Sequence, residues 1–268
     1  TLTGLLVSRD ALVAEDLPKK KPADRLSGPP EISAKGWAVI EGDSGKLLWG
    51  HNQNEPLILA STSKIMTAWL VLDLQTRVPD LLQQTLTVSE KAAKTGGSSA
   101  KIETGDRVPV GELLYGLLLP SGNDAATALA EHCGPHYRQE GDPESADGAF
   151  VAQMNRQADK WKLAETCYFD PHGLGKNHAS PANLAAIAWN VMQNEQFRKY
   201  VQTHSYDGEL LSAKDEKRKV KWTNTNRLLE IEGYDGIKTG TTTAAGSCLV
   251  SSGRRGKDHL IIVMLGST

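Results

Sequence analysis

The sequence predicts an α/β (α+β) protein in which strands from both ends of the chain form one antiparallel sheet flanked by helices, beside a mostly helical lobe. Three observations predict it. Strand-textured segments cluster near the start (36–41 and 46–51), others close the chain (236–242, 247–252 and 260–265), and the middle carries apolar residues at helical spacing. The expected division is an N-terminal extension over 1–30, a discontinuous α/β lobe from 31–74 and 205–268, and the helical lobe over 75–204. A cleft between two lobes is where a site is expected.

Residues 1–30 hold an apolar patch (Leu2, Leu5, Leu6, Val7, Leu12, Val13), then a solvated connector with Pro18, Lys19, Lys20, Lys21, Pro22, Pro29 and Pro30. Gly42-Asp43-Ser44-Gly45 between the first two apolar runs is a hairpin signal. Ser61 is expected to open a helix, because Ile65, Met66, Ala68, Trp69 and Leu72 follow with a 3.6-residue period. Further helices are expected at 109–119, 123–132, 146–162 and 181–194, with Pro109 and Pro181 in first turns, where proline is tolerated. Strand texture returns from about 204, and Gly253 to Asp258 is the turn before the last strand.

Composition narrows the function. Thirty Lys and Arg against 32 Asp and Glu give a net charge of −2, which argues against a nucleic-acid partner. No apolar run approaches the length of a transmembrane helix, so the chain reads as soluble and globular. Cys133, Cys167 and Cys248 lack a C-x-x-C pair, so neither a zinc ribbon nor a redox motif is expected. Gly134-Pro135 breaks any helix that would align His132, Cys133 and His136, and no metal site is expected there. The α/β-hydrolase elbow G-x-S-x-G is absent, and Gly256-Lys257-Asp258 is not a phosphate-binding loop.

Three short motifs carry the chemistry. In Ser61-Thr62-Ser63-Lys64, residues three apart share a helix face, so the Lys64 amine can reach the Ser61 hydroxyl and, when neutral, take its proton. Ser121-Gly122-Asn123 sits between two expected helices. Lys238-Thr239-Gly240-Thr241 places a cation, two hydroxyls and a glycine along a strand, which suits a peptide ending in a carboxylate and bound as an added strand. Each motif alone has an ordinary reading: a capped helix with a surface lysine, a helix N-cap, an edge strand. Two have decoys, Ser98-Ser99-Ala100-Lys101 and Lys94-Thr95-Gly96, neither with the helical or strand continuation its motif needs.

Taken in order, S-x-x-K, S-x-N and K-T-G resemble the motif set of penicillin-binding proteins and class A β-lactamases. The longer strings Ala60–Thr67, Pro120–Ala126 and Asp235–Gly240, with Gly96-Gly97-Ser98-Ser99 and Asp170-Pro171-His172-Gly173-Leu174, resemble the low-molecular-mass D-alanyl-D-alanine carboxypeptidases over about 30–268. The resemblance implies the penicillin-binding/β-lactamase-like two-lobe fold. It also implies acyl transfer on peptidoglycan stem peptides through a Ser61 acyl-enzyme, with covalent inhibition by β-lactams.

In that reading Lys64 is the base, Ser121 relays a proton to the leaving amine and Asn123 holds Lys64 and the substrate. Lys238, Thr239, Gly240 and Thr241 bind the terminal residue, the backbone N–H groups of Ser61 and Thr241 form the oxyanion hole, and His172 is a candidate to line the site. No cofactor is implied. A class A β-lactamase would carry a glutamate in an E-x-x-L-N loop where this chain reads Phe169-Asp170-Pro171-His172-Gly173-Leu174. A non-enzymatic β-lactam sensor would be tethered to a membrane-spanning signalling segment. The substrate implies an extracytoplasmic location, periplasmic or cell-surface, with export by a signal peptide absent from this chain and membrane anchoring, if any, outside it. The family usually continues past the last strand with a helix over one sheet face. Leu2, Leu5, Leu6 and Val7 are expected to help cover that face, or a removed C-terminal helix to do so.

Overall fold

The computed structural model describes residues 32–268, so the 1–30 extension and the covering role expected of Leu2, Leu5, Leu6 and Val7 lie outside the described residues. Strands β1 (Gly36–Glu41) and β2 (Leu47–His51) form the expected hairpin, and β9 (Tyr234–Thr242), β10 (Gly246–Arg255) and β11 (Asp258–Ser267) close the chain. They assemble into one antiparallel sheet in the order β2-β1-β11-β10-β9. Both chain ends thus meet in its middle, with Gly36 opposite Leu265 and Ile40 opposite Ile261. One face carries Ala38, Ile40, Val250, Ile261, Val263 and Leu265, all buried. It packs on helix α6 (Pro181–Met192), whose Leu184, Ala185, Ile187, Ala188 and Val191 are fully buried.

Helix α1 (Lys64–Gln75) is apolar on nearly every side, which marks a central helix. Around it stand α3 (Val110–Leu118), α4 (Asn123–Cys133), α5 (Ala146–Lys160) and α7 (Glu195–Gln202). Short segments complete the order: β3 (Leu57–Ile58), β4 (Thr85–Thr87), α2 (Glu90–Ala93), β5 (Arg107–Pro109) and β6 (His178–Ala179). Two expected boundaries move for local reasons. Pro109 ends β5 with ψ 138° and the helix starts at Val110, because an extended proline satisfies the strand first. Helix α6 stops at Met192, because the Asn194 side chain accepts the Phe197 N–H at 2.9 Å and caps α7 instead.

The stretch after 204, expected to rejoin the terminal sheet, forms the hairpin β7 (Ser205–Leu211) and β8 (Lys217–Thr223), which builds a second sheet in the order β4-β5-β7-β8. Strand texture does not specify a partner; side chains do. Tyr206 stacks on Tyr115 with ring centroids 3.9 Å apart and lies 6.2 Å from Trp222. Arg218 pairs with the buried Asp106, and the Trp222 indole donates to the Ala100 carbonyl at 2.8 Å. These contacts fix the hairpin beside the 96–101 loop, whose carbonyls border the candidate site described below. Trp222 is 2% exposed, so Trp222→Phe strands a buried carbonyl. Denaturant unfolding is expected to show a loss of about 1–3 kcal/mol; a variant as stable as wild type removes this anchor.

Candidate active site

The turn before α1 is not α-helical. Ala60–Ser63 forms a 3-10 turn, entered through Ala60 at φ 47°, and α1 proper begins at Lys64. Side chains three apart eclipse one another in a 3-10 turn. The consequence is a Lys64 Nζ to Ser61 Oγ distance of 3.0 Å. Lys64 is fully buried. Its other neighbours are Asn123 Oδ1 at 2.6 Å and the His172 carbonyl at 2.7 Å.

Those two oxygens can only accept. A neutral amine has two N–H donors, and both are taken by Asn123 and His172, which leaves the nitrogen lone pair facing the Ser61 hydroxyl. Burial, and after it the cation of Lys238, pushes the Lys64 amine well below its ordinary value. The carboxylates of Asp170 and Asp124 oppose that shift. The arrangement can remove a proton from a serine hydroxyl.

Asn123 opens α4, and its own orientation is fixed from both ends. Its Nδ2 donates to the Gly96 carbonyl at 2.8 Å and its backbone N–H to the Ser98 carbonyl at 2.7 Å. Asp124, 1% exposed, holds the same loop by accepting from Ala100 N–H at 2.8 Å and Ser99 Oγ at 2.6 Å. The two decoy segments of the sequence therefore border the site, as carbonyls that accept from Asn123 rather than as second copies of the motifs. Ser121 sits at φ 66°, and its buried hydroxyl has no hydrogen-bond partner among the described residues.

Strand β9 is an edge of the five-stranded sheet and lies against the 3-10 turn. A Cβ on Gly240 would fall 2.8 Å from the Ser61 backbone nitrogen, so only glycine allows this approach. Lys238 is 1% exposed, with Nζ donating to the Thr239 carbonyl at 2.9 Å, and burial pushes it down to about 7. The Thr239 hydroxyl contacts Thr225 Oγ1 at 2.7 Å, and Thr241 is exposed. Lys64 thus touches both Ser61 and Asn123, while the Ser121 hydroxyl is bonded to none of the three. Lys238, Thr239, Gly240 and Thr241 form the facing edge.

Sequence reasoning missed two contributors, Thr225 and the His172 carbonyl. His172 itself was singled out as a lining residue, but no residue identity announces that a main-chain oxygen will meet Lys64. Gly173, at φ +93°, was the available signal: a Cβ there would collide with the Ala60 carbonyl, so the loop passes directly against the turn that carries Ser61.

Residues 23–268 match the family model described as D-alanyl-D-alanine carboxypeptidase. The chain is 33% identical to a D-alanyl-D-alanine carboxypeptidase of Streptomyces sp. strain K15, over 98% of this chain and 90% of that one. It is 34% identical to a D-alanyl-D-alanine carboxypeptidase of Bacillus subtilis, over 88% of this chain, and spans 58% of that relative's length. The crystal structure of the Streptomyces K15 DD-transpeptidase superposes with a TM-score of 0.81 at 33% identity, covering 90% of this chain and 92% of that one.

The buried Lys238 has a consequence for stability. Its pKa is about 7 folded against an ordinary 10.5, so between those values the unfolded chain binds more protons than the folded one. The cost of a buried cation is complete below about pH 7 and is relieved as pH rises toward 10.5. Urea unfolding of wild type and Lys238→Met is expected to show wild type gaining stability relative to the variant through that window. Parallel pH dependences would count against a depressed Lys238.

Proposed function

The chain belongs to the D-alanyl-D-alanine carboxypeptidase family, and from that premise we propose that it removes the terminal D-Ala from peptidoglycan stem peptides, outside the cytoplasm, through a Ser61 acyl-enzyme. The observation that carries this reading is the fully buried Lys64 amine, 3.0 Å from Ser61 Oγ, with its two other contacts made to obligate acceptors. Among the described residues no helix is long and apolar enough to cross a membrane.

In this mechanism Ser61 Oγ attacks the carbonyl carbon of the penultimate D-Ala while its proton passes to Lys64. The developing oxyanion is received by the backbone N–H groups of Ser61 and Thr241. The tetrahedral species collapses, the C–N bond breaks, and the proton travels from Lys64 through the Ser121 hydroxyl to the departing D-Ala amine. Water then attacks the ester while Lys64 takes its proton, and as the bond between the acyl carbon and Ser61 Oγ breaks Lys64 returns that proton to Oγ, releasing the shortened peptide acid and restoring Ser61. The Ser121 hydroxyl makes no hydrogen bond to Lys64 or to any other described residue, so the relay requires it to turn toward that amine once substrate is bound.

Lys238, Thr239 and Thr241 receive the substrate's terminal carboxylate. A carboxylate favours the charged form of the buried Lys238, so binding is accompanied by proton uptake on that amine above about pH 7. An internal amide cannot accept the cation in the same way.

Two experiments test this. Penicillin is expected to add once, at Ser61, and the adduct to survive for minutes, as intact mass and peptide mapping will read. Ser61→Ala abolishes it, and an adduct on Ser63 or Ser98 refutes the assignment. Amidating the terminal D-Ala of a pentapeptide mimic is expected to lower kcat/KM by roughly two to three decades, about 2.7–4 kcal/mol. Equal rates on acid and amide would remove the carboxylate role from β9.

A further inference from the structure

Asp170 belongs to none of the three motifs, yet its carboxylate organises the loop that supplies a ligand to Lys64. Oδ1 accepts the His172 N–H at 2.8 Å and the Gly173 N–H, and lies 3.0 Å from His172 Nδ1. Oδ2 accepts the Gly175 N–H at 2.6 Å, and the Asn177 amide donates to the Asp170 carbonyl at 2.9 Å. The crest of this loop rests on the catalytic turn at three points. The Pro171 carbonyl accepts from Thr67 Oγ1 at 2.5 Å, the His172 carbonyl accepts from Lys64 Nζ, and Gly173 abuts Ala60.

We propose that Asp170 is a positioning residue for acylation: by gathering the three backbone N–H groups of residues 172, 173 and 175, it presents the His172 carbonyl to Lys64 and so leaves the amine's lone pair directed at Ser61. The inference rests on the proposed role of Lys64 as base. A carbonyl at the crest of an irregular loop has no secondary structure to aim it. Here one side chain holds the peptide unit that carries the carbonyl, through the Gly173 N–H, and the unit before it, through the His172 N–H. Without that carbonyl a neutral Lys64 has one N–H free, and nothing selects which of its positions faces Ser61. Asparagine cannot substitute cleanly: its NH2 must meet either the Gly175 N–H or the His172 and Gly173 pair, donor against donor.

Asp170 also acts through its charge. The charged groups facing Lys64 are Lys238 from β9, Asp124 from α4 and Asp170 from the loop, and the two carboxylates favour the protonated amine. Removing one of them leaves Lys64 neutral to lower pH. This gives a readout that loop damage alone would not produce.

The test is the rate of acylation of the full chain by penicillin as a function of pH, with thermal unfolding alongside. Asp170→Asn is expected to slow acylation roughly 10- to 100-fold, the scale of a misplaced catalytic group, and to move the acidic limb of the profile to lower pH. Asp170→Glu keeps the charge but displaces it by a methylene, and is expected to slow acylation with the limb unmoved. Asp170→Asn acylating at the wild-type rate, or slowed with its limb in place, overturns the proposal. Should Asp170→Asn fail to fold, Asp170→Glu acylating at the wild-type rate overturns it alone. Failure of wild type to be acylated at Ser61 would instead refute the role of Lys64 and leave this result recognisably separate.

Discussion

The Lys64 nitrogen is buried among three oxygens, two of which can only accept a hydrogen bond. That constraint organises the cleft. A buried ammonium is costly without a carboxylate in direct contact, and among the described residues Lys64 Nζ has none within hydrogen-bonding distance, so the site favours the free amine. Because the acceptors come from α4 and from the 169–177 loop, the proton-accepting direction of the amine depends on three chain segments far apart in sequence.

The fold supplies those segments with little freedom left. Strands β9 and β10 of the terminal sheet pack on one side of the 3-10 turn, while Gly240 and Gly173 let a strand and a loop approach it closer than any side chain permits. Asn123 is held through the 96–98 carbonyls, which Asp124 in turn secures. Trp222 and Arg218 then tie the same loop to the β7–β8 hairpin. Much of the second sheet therefore serves the placement of one amide side chain.

Two buried lysines lie close together here, and the cation of Lys238 adds to the burial cost of a charge on Lys64. In the proposed mechanism a carboxylate bound at the sheet edge restores the proton of Lys238, while Lys64, facing inward toward uncharged oxygens, acts as the base. The two buried side chains differ in position, one on an edge strand and one at the head of a central helix.

What the sequence determined by itself was the main elements and the candidate site residues. Apolar periodicity identified α1, α4 and the terminal strands, and S-x-x-K, S-x-N and K-T-G named Ser61, Lys64, Asn123 and Lys238, because these depend on local spacing and residue type. What the tertiary structure decided was partnership. Strand texture at 205–223 did not reveal its pairing with β5, since a period of two is the same in any sheet. The decoys at 94–96 and 98–101 could be set aside as motifs but not recognised as the carbonyls that hold Asn123. The His172 carbonyl was invisible for the same reason: every residue carries one, and only long-range packing selects which of them meets a buried amine.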